Sequence, residues 1–262
     1  MPKAAPSNRL NWRLGLAVLT GLLLFVSTAV AARRVQSMLL ANQRFFLGTL
    51  GESGVPAIRV EGNRYAAADS IALVFAQDIN RSIFSIPLAE RRRRLLAIDW
   101  IEDATVLRVW PNRLIVKVRE RRPVAFAKLP VGVAGQFRYL LIDAQGVLLG
   151  VPRQRFDFPV LTGVSEEQPE SDRRARVLSM QQLLHDLGAA ATAMISEVNA
   201  STPHDIRVSA SVNGRSVELW LGDRNYLARF QNFANHFDEI LRRSDGASVF
   251  DLRLDDRIMT VK

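Results

Sequence analysis

The chain of 262 residues contains no cysteine, which excludes disulfide bonds, thiolate nucleophiles and cysteine metal sites. Its three histidines, His185, His204 and His236, are scattered without the spacing of metal ligands. The sequence also lacks a phosphate-binding glycine loop, a nucleophile elbow, a two-histidine zinc helix and a closely spaced carboxylate cluster. These absences argue against an enzyme, and no cofactor or metal is expected.

Acidic residues are absent before Glu52, although the whole chain carries a formal charge of +9. The basic residues are dispersed apart from the run Arg91 to Arg94, which is interpreted as a solvated helix face. Nucleic-acid binding would need a basic stripe with interleaved aromatics or a known module, and neither is present. Attraction to an anionic lipid surface or an acidic partner remains open.

The most prominent feature that is present is an apolar segment, Leu14–Ala32, which is free of charged side chains. As a helix it would span roughly 28 Å, close to the hydrocarbon thickness of a bilayer. A soluble core helix would show a polar face, which this segment lacks. The triplet Ala29-Val30-Ala31 fits a signal-peptidase site, whereas the length of the segment and the following Arg33 and Arg34 favour an uncleaved anchor. The charges on the two flanks are nearly equal, so charge alone leaves the topology open.

The region after this segment begins with a mixed pattern of helices and strands. Its predicted elements are a strand, two helices and a hairpin: residues 57–60, 67–77, 86–97, 104–110 and 113–119. Leu114, Val116 and Val118 alternate with more polar residues, which indicates a half-buried strand. The order strand, helix, helix, strand, strand predicts a compact α+β unit over residues 55–122.

The rest of the chain is richer in strands. Strands are predicted at residues 124–127, 138–142, 147–149, 158–163, 195–198, 206–212, 216–221, 248–254 and 258–261. Asn213-Gly214 predicts a type I′ hairpin turn. Helices are predicted from a cap at Asp172 to Leu187 and from Tyr226 to Leu241. The second helix is expected to bury the aligned residues Leu227, Phe230, Phe233, Phe237 and Leu241.

An ordered series of short motifs runs through the chain after the apolar segment. They are Val60-Glu61-Gly62-Asn63, Asp99–Ala104, Trp110–Leu114, Glu120–Ala125, Leu141-Ile142-Asp143-x-x-Gly146, Pro159-x-Leu161-x-Gly163, Leu221-Gly222 before Leu227–Phe230, and Phe250–Arg253. In this order and spacing they resemble the FtsQ/DivIB family of bacterial cell division proteins. The resemblance implies an α+β fold with one N-terminal transmembrane helix, a POTRA domain (β-α-α-β-β) and a second β-rich domain with packed helices.

The resemblance also implies a layout, a location and a non-enzymatic role. The expected layout is a cytoplasmic tail (1–13), a transmembrane helix (14–32), a linker (33–54), a POTRA domain (55–122) and a C-terminal β-rich domain (123–262). The chain would be a single-pass type II protein of the inner membrane with its bulk in the periplasm, at the division septum. It would act as a scaffold that links early and late division proteins and docks FtsB and FtsL.

The last predicted strand is expected at a sheet edge, where unpaired backbone groups allow a partner to add a strand. The resemblance implies that this sheet receives FtsB, and that other division proteins contact the POTRA domain near Val60 and the second helix. The expected partner-binding residues are Arg253, Leu254, Asp256, Arg257, Ile258, Met259, Thr260 and Val261. Arg253 would pair with a partner carboxylate. Family members commonly carry an aromatic and a glycine where this chain has Leu254 and Arg257, and a proline where it has Asp99.

Two other functions are weighed against this interpretation. A POTRA-bearing envelope assembly or transport factor would carry a downstream β-barrel or repeated POTRA units, and the sequence shows neither. An envelope hydrolase would need a nucleophile and a base in a recognisable arrangement, which three dispersed histidines do not supply.

Overall fold

The computed structural model describes residues 9–48, 56–132, 135–202, 204–244, 246–255 and 257–261. The chain has an α+β fold and divides into two compact units. The first unit comprises Met1–Ala97 and Asp103–Arg119, and the second comprises Ile98–Glu102 and Glu120–Lys262. The expected tail (1–13) and linker (33–54) lie partly outside the described residues.

The first helix, α1 (Arg9–Ala41), contains the predicted span and continues beyond it. The stretch Leu14–Ala41 reaches a mean hydropathy of 2.3, and none of its most apolar part is buried in the protein. Its polar side chains bond within the helix, as where the Thr20 hydroxyl donates to the Leu16 carbonyl oxygen at 3.0 Å. Such internal bonding is required in hydrocarbon, where no water is available. By length and composition α1 fits the anchor of a single-pass membrane protein.

The rest of the first unit has the predicted order of elements. These are β1 (Ile58–Glu61), α2 (Ala68–Leu73), α3 (Leu88–Leu96), β2 (Ile101–Val109) and β3 (Arg113–Glu120). The three strands form a sheet in the order β1-β3-β2, in which β1 runs parallel to β3. Leu114 and Val116 of β3 are fully buried, as the alternation of apolar and polar residues predicted.

The helices of this unit are shorter than predicted. α2 ends at Leu73, and a separate 3₁₀ turn follows at Ala76–Asp78. Asn80 adopts a left-handed conformation, with φ of 63°. Pro87 precedes α3, and no side chain caps this helix.

The interpretation of Arg91 to Arg94 as a solvated face was wrong for its first residue. Arg91 is 3% exposed and donates from Nε and Nη2 to the two carboxylate oxygens of Asp78, at 2.6 and 2.9 Å. Asp78 is fully buried. The hydrogen bond to Asp78 raises the pKa of Arg91. This bidentate pair joins α3 to the 3₁₀ turn, a tertiary contact that a window of sequence around either residue does not show.

The second unit is organised on one nine-stranded sheet. Its strands are β4 (Pro123–Pro130), β5 (Phe137–Asp143), β6 (Leu148–Leu149), β7 (Val160–Thr162), β8 (Ile195–Asn199), β9 (Ile206–Val212), β10 (Arg215–Gly222), β11 (Val249–Asp251) and β12 (Met259–Thr260). Their order is β12-β11-β10-β9-β8-β7-β4-β5-β6. The β9–β10 hairpin turns at Asn213 and Gly214, whose φ angles of 49° and 76° confirm the predicted type I′ geometry.

Three helices accompany this sheet where two were predicted, and their ends differ from the predicted ones. They are α4 (Glu170–Thr192), α5 (Tyr226–Asn235) and α6 (Phe237–Arg243). α4 begins after Pro169, so Asp172 lies in its first turn and is not its cap. Gly188, just beyond the predicted end of this helix, is a non-helical residue inside α4, with φ of 73°.

The predicted helix from Tyr226 to Leu241 is wrong as a single element, because α5 and α6 are separated at His236. Phe233 and Phe237 lie in the core on either side of this break, with ring centroids 5.3 Å apart. Leu227, which was expected to be inward, is 38% exposed.

The Asp78–Arg91 pair predicts a large effect of a single substitution on the first unit. We expect Arg91→Met to lower the free energy of unfolding by about 3–5 kcal/mol, because it leaves the Asp78 carboxylate buried without its partner. Urea unfolding of the detergent-solubilised chain measures this. The double substitution Asp78→Leu/Arg91→Met should recover most of the loss. The same change at the exposed Arg93 is the matched control, and equal effects at Arg91 and Arg93 would contradict the assignment.

Candidate partner-binding edge

β12 lies at one edge of the nine-stranded sheet, and no described strand pairs with its outer side. It runs antiparallel to β11, with Thr260 opposite Phe250 and Met259 opposite Asp251. The amide of Val261 donates to the carbonyl oxygen of Val249 at 3.0 Å. Hydrogen-bonded and non-bonded pairs alternate along an antiparallel ladder. The backbone N–H and C=O of Met259 therefore point towards β11, whereas the N–H and C=O of Thr260 point outward from the edge.

Two clefts lie beside this edge, and Ile258 lines both of them. The first, of about 350 Å³, is formed by α5 and the segment after β11. Leu254, which is 45% exposed, lines it. The second, of about 510 Å³, lies between α6 and β12. Thr260 lines it as well. The open backbone edge is thus flanked by hollows that could accept side chains.

Arg253 is held by neighbouring groups of the same chain. Its Nε and Nη2 donate to the Asp251 carboxylate at 2.9 and 2.6 Å, and its Nη1 donates to Asp205 at 3.3 Å. Its guanidinium also lies 5.0 Å from the ring centroid of Trp220. The hydrogen bond from Arg253 lowers the pKa of Asp251. The side chain remains 42% exposed, so it is oriented by the fold and still accessible.

Arg229 of α5 fixes the chain that connects β11 to β12. It is 6% exposed. Its Nη1 donates to the Leu221 carbonyl oxygen at 2.6 Å, its Nη2 to the Arg253 carbonyl oxygen at 2.7 Å, and its Nε to Asp255 at 2.7 Å. The bond from Arg229 lowers the pKa of Asp255. One buried guanidinium thus ties α5, β10 and the segment before β12 together. We call this set of bonds the Arg229 clasp.

Gly222, at the end of β10, makes room for the clasp. Its φ is 74°, a conformation that residues with a side chain rarely adopt. A Cβ atom there would lie 3.2 Å from both Arg229 Nη1 and Arg253 Cγ. The Leu221-Gly222 motif is therefore explained by the close approach of two arginines.

The structure brings most of the predicted partner-binding residues to this edge. Arg253, Leu254, Ile258, Met259, Thr260 and Val261 lie along the described segment that leads into and through β12, and Arg257 is exposed within it. Asp256 lies outside the described residues. Sequence reasoning did not single out Arg229, Asp251 or Asp255. Arg229 and Asp251 lie in the motifs Leu227–Phe230 and Phe250–Arg253, but these motifs give no sign of the groups that the two residues bind.

Comparison with known proteins identifies related sequences. Residues 53–121 match the family model of the FtsQ-type POTRA domain. A cell division protein FtsQ from Koribacter versatilis (strain Ellin345) is 36% identical over 209 residues, which are 78% of this chain and 58% of that protein. Another, from Geobacter sp. (strain M21), is 25% identical over 214 residues, 79% of this chain and 75% of the relative. The chain thus spans less than two thirds of the length of the first of these relatives.

A solved structure is also similar to part of the chain. It is the major extracytoplasmic domain of the cell division protein DivIB from Geobacillus stearothermophilus, at 22% identity. The match covers 48% of this chain and 95% of that domain, with a TM-score of 0.23, which is too low to compare the two geometries. The family-model match and the FtsQ relatives confirm the resemblance of this chain to the FtsQ/DivIB family.

The Arg229 clasp predicts a specific weakening of the sheet edge. We expect Arg229→Met to leave the carbonyl oxygens of Leu221 and Arg253 without this donor, at about 1–3 kcal/mol for the buried Leu221 group. Hydrogen exchange should become faster at the amides of β11 and at Val261. Arg242→Met, at an exposed position of α6, is the matched control. Unchanged exchange at these amides in Arg229→Met would show that the clasp does not hold the edge.

The paired Asp251 predicts how the stability of the second unit depends on pH. Its folded-state pKa lies below its ordinary value of 3.8, so its pairing with Arg253 stabilises the fold above about pH 4. This contribution is lost as the pH falls through the folded-state pKa. We expect Asp251→Asn to lose less stability than the unsubstituted chain on acidification below about pH 4. Urea unfolding over a pH series measures this, and parallel pH profiles would contradict it.

Proposed function

We propose that this FtsQ/DivIB-type protein is a membrane-anchored, non-enzymatic scaffold of cell division that receives a segment of FtsB, in complex with FtsL, at β12. The observation that carries the proposal is the open backbone of Thr260 at the end of the sheet, flanked by the two clefts. The cell division proteins FtsQ that the chain resembles support the process in which it takes part.

Strand addition at this edge would use two kinds of contact. Backbone hydrogen bonds to Thr260 would supply affinity that does not depend on the partner's side chains. Alternate side chains of the added strand would point to the face that carries α6, where the 510 Å³ cleft lies between that helix and β12. That cleft would supply specificity, since it accepts only side chains of suitable size.

Arg253 would contribute an oriented donor at the border of this surface. An arginine has five N–H groups, and the three bonds to Asp251 and Asp205 leave two of them for a partner. Two carboxylates already balance its charge. Arg253 would therefore orient a partner carboxylate more than it would attract it. The role of Arg253 in binding would therefore be to fix register.

The proposed location follows from α1 and from the relatives. The helix would anchor the chain in the inner membrane as a type II protein, with the N-terminus in the cytoplasm and both folded regions in the periplasm at the septum. The proposed division remains a tail (1–13), a span (14–32), a linker (33–54), a POTRA domain (55–122) and a β-rich domain (123–262). Other division proteins would contact the POTRA domain.

The outward orientation of the Thr260 backbone allows a direct test of strand addition. Proline lacks an N–H, so Thr260→Pro would remove the outward donor and leave the bonds between β11 and β12 in place. We expect capture of the periplasmic segment of FtsB by the full chain to fall at least tenfold in Thr260→Pro, by loss of the backbone contact. A pull-down from detergent measures this.

Thr260→Ala is the matched control, because it changes the side chain and keeps the backbone donor. It should capture FtsB as well as the unsubstituted chain. Met259→Pro would act differently, since it removes a donor that faces β11 and so disturbs the sheet itself. Capture by Thr260→Pro at the unsubstituted level, with an unchanged urea midpoint, would contradict strand addition at β12.

A further inference from the structure

The end of α1 and the residues after it are hydrogen-bonded to the rest of the first unit. The hydroxyl of Ser82 donates to the carbonyl oxygen of Leu39, in the last turn of α1, at 2.9 Å. The amide of Ile83 donates to the carbonyl oxygen of Phe45 at 2.9 Å. Ser82 is 3% exposed, and Leu47, two residues after Phe45, is fully buried. The folded unit is thus fixed directly on the end of the membrane helix.

An aromatic cluster lies at this junction, and its outer members are exposed. Phe45, which is 8% exposed, lies between Phe84 and Trp110, with ring centroids 5.4 and 6.0 Å away. The guanidinium of Arg44 is 5.0 Å from the Trp110 ring centroid. Trp110 is 62% exposed and Phe84 is 38% exposed. We call Arg44, Phe84 and Trp110 the juxtamembrane patch.

The composition of this patch suits the surface of a bilayer. Tryptophan is enriched at membrane interfaces because its ring is apolar and its N–H is polar. Arginine beside it would be attracted to anionic headgroups. Arg33 and Arg34 precede the patch, and the first acidic residue of the chain is Glu52. The segment from Arg33 to Arg44 therefore contains basic residues and no acidic ones.

The length of α1 brings the patch near the headgroup layer. The nine residues after Ala32 add about 13 Å of helix, while the interfacial layer is about 5–8 Å thick on each side. Val35 and Met38, in this part of α1, are 59% and 67% exposed. They follow Arg33 and Arg34. Exposed apolar side chains beside arginines suit a helix that leans into the interface, and such a lean would lower the patch towards the headgroups.

We propose that the juxtamembrane patch binds the anionic surface of the leaflet from which α1 emerges, with the Trp110 ring at headgroup depth and Arg44 against phosphate. This contact would hold the first unit on the membrane independently of any division partner. The only premise that it shares with the proposed function is that α1 spans the bilayer.

Fluorescence of the full chain in vesicles tests this directly. Subtracting the emission of Trp110→Phe from that of the unsubstituted chain isolates Trp110. In vesicles that contain phosphatidylglycerol, we expect this difference emission to be blue-shifted and quenched by lipids brominated near the headgroup. Arg44→Gln should weaken that quenching, as should replacing phosphatidylglycerol with phosphatidylcholine.

Two other tryptophans serve as controls in the same preparation. The difference emission from Trp12→Phe reports insertion of α1, and the one from Trp220→Phe, in the second unit, should not respond to brominated lipid. If Trp12 is quenched by the lipid while Trp110 responds only to acrylamide in the water, the proposal is overturned and the patch is left to an aqueous protein partner. An identical result in both lipid compositions would overturn the anionic part of it.

Discussion

The architecture of this chain depends on where backbone hydrogen-bonding groups are satisfied and where they are left open. In α1 they are satisfied within the helix, which is the condition for crossing hydrocarbon. In the nine-stranded sheet they are satisfied between neighbours as far as β12. At β12 the bond from Val261 to Val249 sets the phase of the strand, so that the backbone of Thr260 is left facing outward. The backbone of α1 is therefore hydrogen-bonded within the helix, whereas the backbone of Thr260 is left open to a partner.

Buried arginines connect several secondary-structure elements by hydrogen bonds and ion pairs. Arg91 pairs with Asp78 in the first unit, and Arg229 joins three segments in the second. Arg173, at 7% exposure, donates to the carbonyl oxygens of Gly146 and Glu166 at 2.8 and 3.2 Å. The rigid fork of a guanidinium suits this use, since it can satisfy several acceptors in fixed directions. The positive charge of the chain is thus partly internal, so the net charge alone does not locate a binding surface.

The proposed functions depend on different parts of the fold. A partner that adds a strand needs an edge whose position is fixed before binding, because ordering it during binding would cost affinity. The Arg229 clasp and the pairing of Arg253 with Asp251 supply that order. The junction between Ser82 and Leu39 does the same for the first unit at the membrane. In both places a short polar contact limits the freedom of a segment that would otherwise be a loose connection.

Local periodicity and turn chemistry in the sequence were enough to predict several features of the fold. These include the span from Leu14, the half-buried strand around Leu114 to Val118, and the turn at Asn213-Gly214. The ordered motifs were enough to establish the family resemblance, because they are local in the chain. Helix ends were less predictable, as at His236, since packing of Phe237 in the core decides where a helix breaks.

Tertiary contacts determine which charged residues are buried and which backbone groups of the described strands point outward. Asp78 and Arg91 are thirteen positions apart, and Arg229 binds the carbonyl group of a residue twenty-four positions away. No pattern within a single element reports such contacts. The outward phase of Thr260 likewise depends on its register with β11. A shift of one residue would turn Met259 outward instead, so the site follows from strand pairing and not from composition.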